Sequence, residues 1–180
     1  FEEYIALQNS HNVEKFENII NLSLQTKKWF IEIDEFDKNE RQLLNFGHSF
    51  GHAIEGACAY QIPHGIAVGY GMVWAVFLGQ LIYDYNYSEQ VRLKNLKGCL
   101  QDLLGGGDVR AYRAILQKIK FKDIFLCFKT DKKHLADEFV CILPNNNGYL
   151  ERTKINKNDE SVDLIERSFA ELLGVIKDEI

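Results

Sequence analysis

The sequence predicts a mainly α fold, a multi-helix domain closed by one small β-hairpin. Three observations predict it. Apolar residues recur at helical spacing over most of the chain. The two strand-like runs, "EFVCILP" and "GYLERTKI", are adjacent and split by "NNN" and Gly148, which reads as a hairpin. No strand alternates with helices in the manner of a parallel sheet. At 180 residues, with 46% hydrophobic and 26% charged residues, the composition is that of a globular protein, long enough to bury about 70% of its unfolded surface.

Taken in order, residues 11–33 form a helix, because Val13, Phe16, Ile20, Leu24 and Ile31 fall on one stripe at about 100° per residue. Lys27 falls on that stripe and Lys28 does not. A lysine on an apolar face either snorkels to water or has a task, and periodicity leaves both open. The acidic run "EIDEFDKNE" reads as a loop. Residues 41–58 and 65–84 read as two helices joined around Pro63, and 88–104 as a third that stops at the glycine run 105–107. A helix over 108–120, a mixed segment over 121–130, the hairpin and an amphipathic helix over 159–176 complete one domain without repeats or linkers.

Residues 65–83 carry no formal charge over 19 positions, the length of a membrane span. Four glycines, a glutamine and two tyrosines dilute it, and a helix buried inside the protein is the reading taken. A net charge of −5 argues against a nucleic-acid or anionic-membrane surface, so no nucleic-acid or membrane partner is expected. Cys58, Cys99, Cys127 and Cys141 lack C-x-x-C spacing, and free thiols in a reducing, cytoplasmic compartment are expected. No secretory leader is read at the start, and an opening Phe1 rather than Met suggests sequence upstream.

The segment "RQLLNFGHSFGHAIEGACAYQIPHG", residues 41–65, holds three of the five histidines. If 41–57 is one helix, Arg41, Asn45, His48, His52 and Glu55 fall within about 80° of one another, opposite Leu43, Phe46, Phe50, Ala53, Ile54 and Ala57. A solvated face carries lysines and glutamates rather than two histidines and an asparagine. Three chemistries use such a face. His48 and His52 could both bind zinc, with a carboxylate or His64 as third ligand. One histidine could bind metal while another moves protons at near-neutral pKa. Or the histidines are merely satisfied by Glu55 and Asn45. A zinc peptidase would need Glu directly after the first His, where this chain has Ser49.

"RQLLNFGHSFGHAIE" followed by "HGIAVGYGM" resembles the signature of the sugar phosphate cyclases, and within them the dehydroquinate synthase branch. "KKWFIEIDEFDKNER" and "TDKKHLADEFVCILP" are similar to further family segments, so the resemblance runs over about residues 1–170. It implies the C-terminal, metal- and substrate-binding domain of a dehydroquinate synthase-like fold over residues 1–180, with an NAD-binding domain and a glutamate metal ligand lying upstream. His48 and His64 match metal-binding histidines, normally holding zinc (or cobalt). His52 matches the histidine that assists proton transfer, and Asn45 a substrate-contacting asparagine. Lys27 and Arg41 match cations that hold the substrate's carboxylate, with Lys27 counted in the catalytic set, and Lys132 and Lys133 occupy a phosphate-binding Asp-Lys-Lys position. Glu55 reads as a neighbour of the metal ligands rather than a ligand.

The implied activity is that of a carbon–oxygen lyase acting on 3-deoxy-D-arabino-heptulosonate 7-phosphate in aromatic amino acid biosynthesis, in a homodimer, with NAD and the metal as cofactors. This 180-residue piece alone is expected to be inactive. Ile66 and Asp37 stand where that branch commonly has Glu, which leaves room for an inosose- or valiolone-forming relative. A carboxylate-bearing substrate explains Lys27 and Arg41 together; a neutral cyclitol precursor explains neither as well. A metal-binding module without catalysis is the reading from another class, and retention of the whole cation and histidine set argues against it.

Overall fold

A computed structural model describes residues 13–104 and 109–178; residues 11–12 and the glycine run 105–107 lie outside the described residues. The chain divides after Leu44 into two compact units. The first contains helix α1, Val13–Ile33. From Phe16 onward its stripe is exposed, with Phe16 at 55%, Ile20 at 55% and Leu24 at 60%, so Lys27 shares an exposed face rather than a buried one. After α1 the buried Asp34 organises the acidic loop. Its carboxylate accepts the backbone N–H groups of Lys38 (3.0 Å), Asn39 (2.7 Å) and Arg41 (3.2 Å). These bonds, the Lys38 one foremost, hold the Asp34 carboxyl below its usual range against the opposing effect of burial.

The predicted continuous helix over 41–58 is not continuous. Glu40–Asn45 is a 3-10 turn, and a separate helix α2 spans His48–Ala57. Between them Gly47 adopts φ +78°, in the left-handed region open to glycine. Helix α3 (His64–Ile82) causes the break: a Cβ on Gly47 would lie 2.6 Å from Met72 Cγ and 2.8 Å from the Val68 carbonyl oxygen. Close packing here replaces helical continuity.

Helix α3 is the axis of the second unit and packs against α2, against α4 (Tyr87–Leu104), against the first strand and against the final helix. It is long and apolar enough to cross a membrane, yet Val73–Gly79 are all buried within the protein. Trp74 is wholly buried and its Nε1 donates to Ser168 Oγ at 2.8 Å, so its one polar atom is satisfied. Short helix α5 (Arg110–Leu116) follows. The segment read as mixed is a helix, α6 (Phe121–Phe128), which packs on α2. Phe128 stacks on Phe50 with centroids 5.2 Å apart and planes 9° apart.

Strands β1 (Glu138–Pro144) and β2 (Leu150–Asn156) form the antiparallel hairpin, with Cys141 opposite Thr153. β1 is buried from Phe139 to Pro144, whereas β2 buries only Thr153. Helix α7 (Asp159–Asp178) is capped by Asn158, whose Oδ1 accepts the Ser161 N–H at 2.9 Å. It buries Ile165, Phe169, Leu172 and Ile176, the i, i+4, i+7 stripe of an amphipathic helix. All four cysteines are free, with Cys58 and Cys141 buried. Burial raises the Cys141 thiol pKa strongly, so it stays protonated and inert.

Candidate metal and substrate site

The second unit brings three imidazoles together. Their ring centroids are 5.7 Å apart for His48–His52, 5.5 Å for His48–His64 and 5.9 Å for His52–His64. Two are placed by α2, where a spacing of four puts them on one face while Phe50, Ala53 and Ile54 anchor the other in the core. The third is the first residue of α3. Pro63, at φ −59° and ψ 145°, follows a turn and caps the helix, its carbonyl accepting the N–H groups of Ile66 and Ala67.

Two rings have their Nδ1 atoms committed. His64 Nδ1 donates to the Glu55 carboxylate at 3.1 and 3.2 Å, and His48 Nδ1 faces the Phe46 carbonyl oxygen at a longer 3.4 Å. An oxygen acceptor on Nδ1 fixes the tautomer and leaves Nε2 as the open, basic nitrogen, the usual preparation of a metal-ligating histidine. Desolvation holds His48 below its ordinary pKa, reinforced by the Lys133 charge and the other two imidazoles. A neutral imidazole is the form that binds a metal. The donor set therefore fits a divalent ion.

The geometry also offers a different grouping. Ligand atoms of His52, Glu55 and His64 all lie within 4.8 Å of one another, a set that would use Glu55 directly. The Glu55 carboxylate is already engaged by His64, and its side chain is only 12% exposed. A carboxylate in that position orients a ligand. Glu55→Gln is expected to lower zinc affinity about tenfold to a hundredfold, as loss of such partners does, read by competition with a chromophoric chelator.

Asn45 and Lys133 join the cluster, Lys133 Nζ donating to Asn45 Oδ1 at 3.0 Å. Lys132 is exposed and Lys133 half-buried, so the paired lysines differ in setting. Lys27 and Arg41 belong to the first unit. Lys27 is exposed on α1, and the Arg41 guanidinium donates to the Glu35 carbonyl at 2.9 Å. Sequence reasoning missed Asp131: its Oδ2 lies 3.8 Å from His52 Nδ1. The signal was present as the first residue of the Asp-Lys-Lys stretch.

His134, in the loop before β1, is packed between the Phe128 and Phe139 rings at 4.7 and 5.2 Å, and its Nδ1 accepts the Val140 N–H at 3.0 Å. Desolvation depresses its pKa despite the Asp131 charge. The unfolded chain then takes up a proton at a higher pH than the folded one. Stability from this residue is intact above the unfolded value, about 6.5, and is lost as pH falls from there towards the folded value. His134→Asn, which keeps an acceptor, is expected to flatten the fall in melting temperature between about pH 7.5 and 5.5.

Residues 2–134 match the family described as 3-dehydroquinate synthase C-terminal. The chain is 35% identical over 157 residues to a 3-dehydroquinate synthase of Dictyoglomus turgidum, covering 87% of this chain and 40% of that protein. It is 32% identical over 178 residues to a bifunctional 3-dehydroquinate synthase/phosphatase of Fusobacterium nucleatum, covering 92% and 24%. Among solved structures, 2-deoxy-scyllo-inosose synthase aligns with a TM-score of 0.63 at 22% identity over 91% of this chain and 41% of that one. The same enzyme complexed with carbaglucose-6-phosphate, NAD+ and Co2+ aligns at 0.64, also at 22% identity, over 88% and 42%. These two show a shared fold. The chain spans about two fifths of the first of these relatives and under a quarter of the second. With the family match extending over most of its length, this chain belongs to the 3-dehydroquinate synthase C-terminal family.

Proposed function

We propose that this chain is the metal- and substrate-binding part of a cyclase that converts 3-deoxy-D-arabino-heptulosonate 7-phosphate to 3-dehydroquinate with loss of phosphate. The observation that carries the proposal is the cluster of three imidazoles within 6 Å, two with Nδ1 directed at an oxygen, beside the Asn45–Lys133 pair. The relatives named above and the neighbour holding a sugar-phosphate analogue, NAD+ and Co2+ support it.

In this reading His48 and His64 hold the metal, zinc in preference, through Nε2. The metal supplies Lewis-acid polarisation of substrate oxygens when bound. NAD, bound outside these residues, would supply the hydride acceptor and donor. His52 moves protons to and from the substrate at Nε2, a task suited to an imidazole near pH 7. Lys133 meets the phosphate as a point charge, with Lys132 beside it in sequence, and Asn45 positions the substrate while bonding Lys133. Lys27 and Arg41 bind the carboxylate, Arg41 exchanging its bond to the Glu35 carbonyl for the substrate's planar anion. A cytoplasmic homodimer is the proposed setting.

An inosose- or valiolone-type cyclase is the second reading, favoured by Ile66 and Asp37 at positions of the branch's usual glutamates. Lys27→Ala and Arg41→Ala in the intact-length enzyme separate the two. Each is expected to cost about 2–3 kcal/mol in kcat/KM for the carboxylate substrate. Unchanged constants in both variants contradict the carboxylate assignment and favour a neutral substrate.

A further inference from the structure

The group left over by this reading is Asp131. Its side chain is 7% exposed, yet the two carboxylate oxygens are treated differently. Oδ1 accepts the Lys133 backbone N–H at 2.9 Å. Oδ2 is buried and has no hydrogen-bond partner among the described residues. A buried carboxylate oxygen without a donor is costly and therefore rare, so it asks for a function.

The loop after α6 fixes where that oxygen points. The Asp131 N–H donates to the Phe128 carbonyl at 3.1 Å, and its own carbonyl accepts the His134 N–H at 3.1 Å. Phe128 is wholly buried against Phe50 of α2, and α2 carries His52. The carboxylate thus rides on the same packing that sets the histidine. His52 Nδ1 stands 3.8 Å from Oδ2, just outside hydrogen-bonding reach. The His52 side chain is 47% exposed, so a small turn of the ring meets little resistance.

We propose that Asp131 is the positioning residue for His52: Oδ2 accepts the Nδ1 proton and holds the ring in its Nδ1–H tautomer, with Nε2 turned to the substrate. This rests on the assignment of His52 to proton transfer. All three imidazoles of the site then follow one rule, each Nδ1 answered by an oxygen (Phe46 carbonyl, Asp131, Glu55) and each Nε2 left open. The device gives the charge of Asp131 a second role. It stabilises the imidazolium formed when Nε2 takes a proton, as a buried carboxylate does behind a catalytic histidine.

The rival donor for Oδ2 is His134, whose Nε2 is also buried without a hydrogen-bond partner among the described residues. Nitrogen-15 spectra of the histidine side chains in the zinc-loaded full chain, with His52 assigned by His52→Gln, distinguish the two. The expected result is His52 as the Nδ1–H tautomer, retained in Asp131→Asn, which keeps an acceptor. In Asp131→Leu it should move to the Nε2–H form that free imidazole prefers. A parent protein with His52 already in the Nε2–H form overturns the proposal, as does an Nδ1–H signal indifferent to Asp131→Leu while the His134 signals shift. Should Asp131→Leu fail to fold, the parent tautomer and Asp131→Asn still decide. A turnover assay runs alongside: Asp131→Leu is expected to lower kcat about tenfold to a hundredfold with KM nearly unchanged. An Nδ1–H His52 in a zinc-loaded, intact-length protein that turns over no sugar phosphate upholds the Asp131 contact and counts against the cyclase reading instead.

Discussion

His64→Ala is expected to reduce zinc affinity about a hundredfold to a thousandfold, and His48→Ala by a similar factor. A structural zinc site yields on the order of 10–16 kcal/mol, so one ligand among four carries about 2.5–4 kcal/mol. Both rings are prepared for ligation, with Nδ1 directed at Glu55 in one case and at the Phe46 carbonyl in the other. Burial lowers the His48 pKa, which reduces proton competition for the ring. His52→Ala is the informative companion. On the present assignment it leaves zinc affinity within about tenfold of the parent, the range of a neighbour to the ligands. If His52→Ala strips the metal and His48→Ala does not, the ligands are instead the His52, Glu55 and His64 group whose donor atoms converge within 4.8 Å. Chelator competition on the three variants reads this directly.

Gly71→Ala is expected to be among the most damaging single-methyl changes in the second unit. A Cβ at Gly71 would run into the Gly47 carbonyl oxygen and lie 2.7 Å from the Gly51 nitrogen. Both neighbours are backbone, so relief requires moving α2 away from α3. Overpacking of this kind costs about 3 kcal/mol or more, which lowers the melting temperature by roughly 6–12 °C in a chain of this size. Gly47 and Gly51 flank His48, so the same shift spreads the imidazoles and weakens metal binding as well. Gly98→Ala is the control. It sits within α4 with nothing within 4 Å of its Cβ among the described residues, and the gain in helix propensity should stabilise by about 0.5–1 kcal/mol. Equal melting temperatures for Gly71→Ala and the parent would mean that α2 and α3 are not in the contact described.

Much of this was legible in the residues. The hairpin followed from two strand-like runs around "NNN" and Gly148, and α3 from an uncharged run that a core absorbs. Two elements were not. Helical periodicity passes smoothly through residues 41–57, but Gly47 takes a left-handed conformation because α3 approaches it, a tertiary cause with no local trace. The α6 segment is ambiguous in sequence because a short aromatic run suits either a helix or a strand until its partner is known. Its partner is α2, through Phe128 and Phe50. The site shows the same division. Spacing brought out His48 and His52, since four residues apart is one helical face, while His64 came with them as part of the same histidine-rich segment. Asp131 escaped because its relation to His52 depends on how the loop after α6 returns to α2. The apolar stripe that carries Lys27 is exposed, so periodicity there reports a property of α1 rather than burial of the lysine.

The central claim is that this chain serves a metal-dependent sugar phosphate cyclase, and phosphate release tests it most directly. The intact-length polypeptide, zinc-loaded, is mixed with NAD and 3-deoxy-D-arabino-heptulosonate 7-phosphate, and inorganic phosphate is followed over time. Release over many turnovers per NAD, abolished by chelation and restored by zinc, is the predicted result. A folded, zinc-loaded protein that releases no phosphate from this substrate, or releases it equally well after chelation, contradicts the claim.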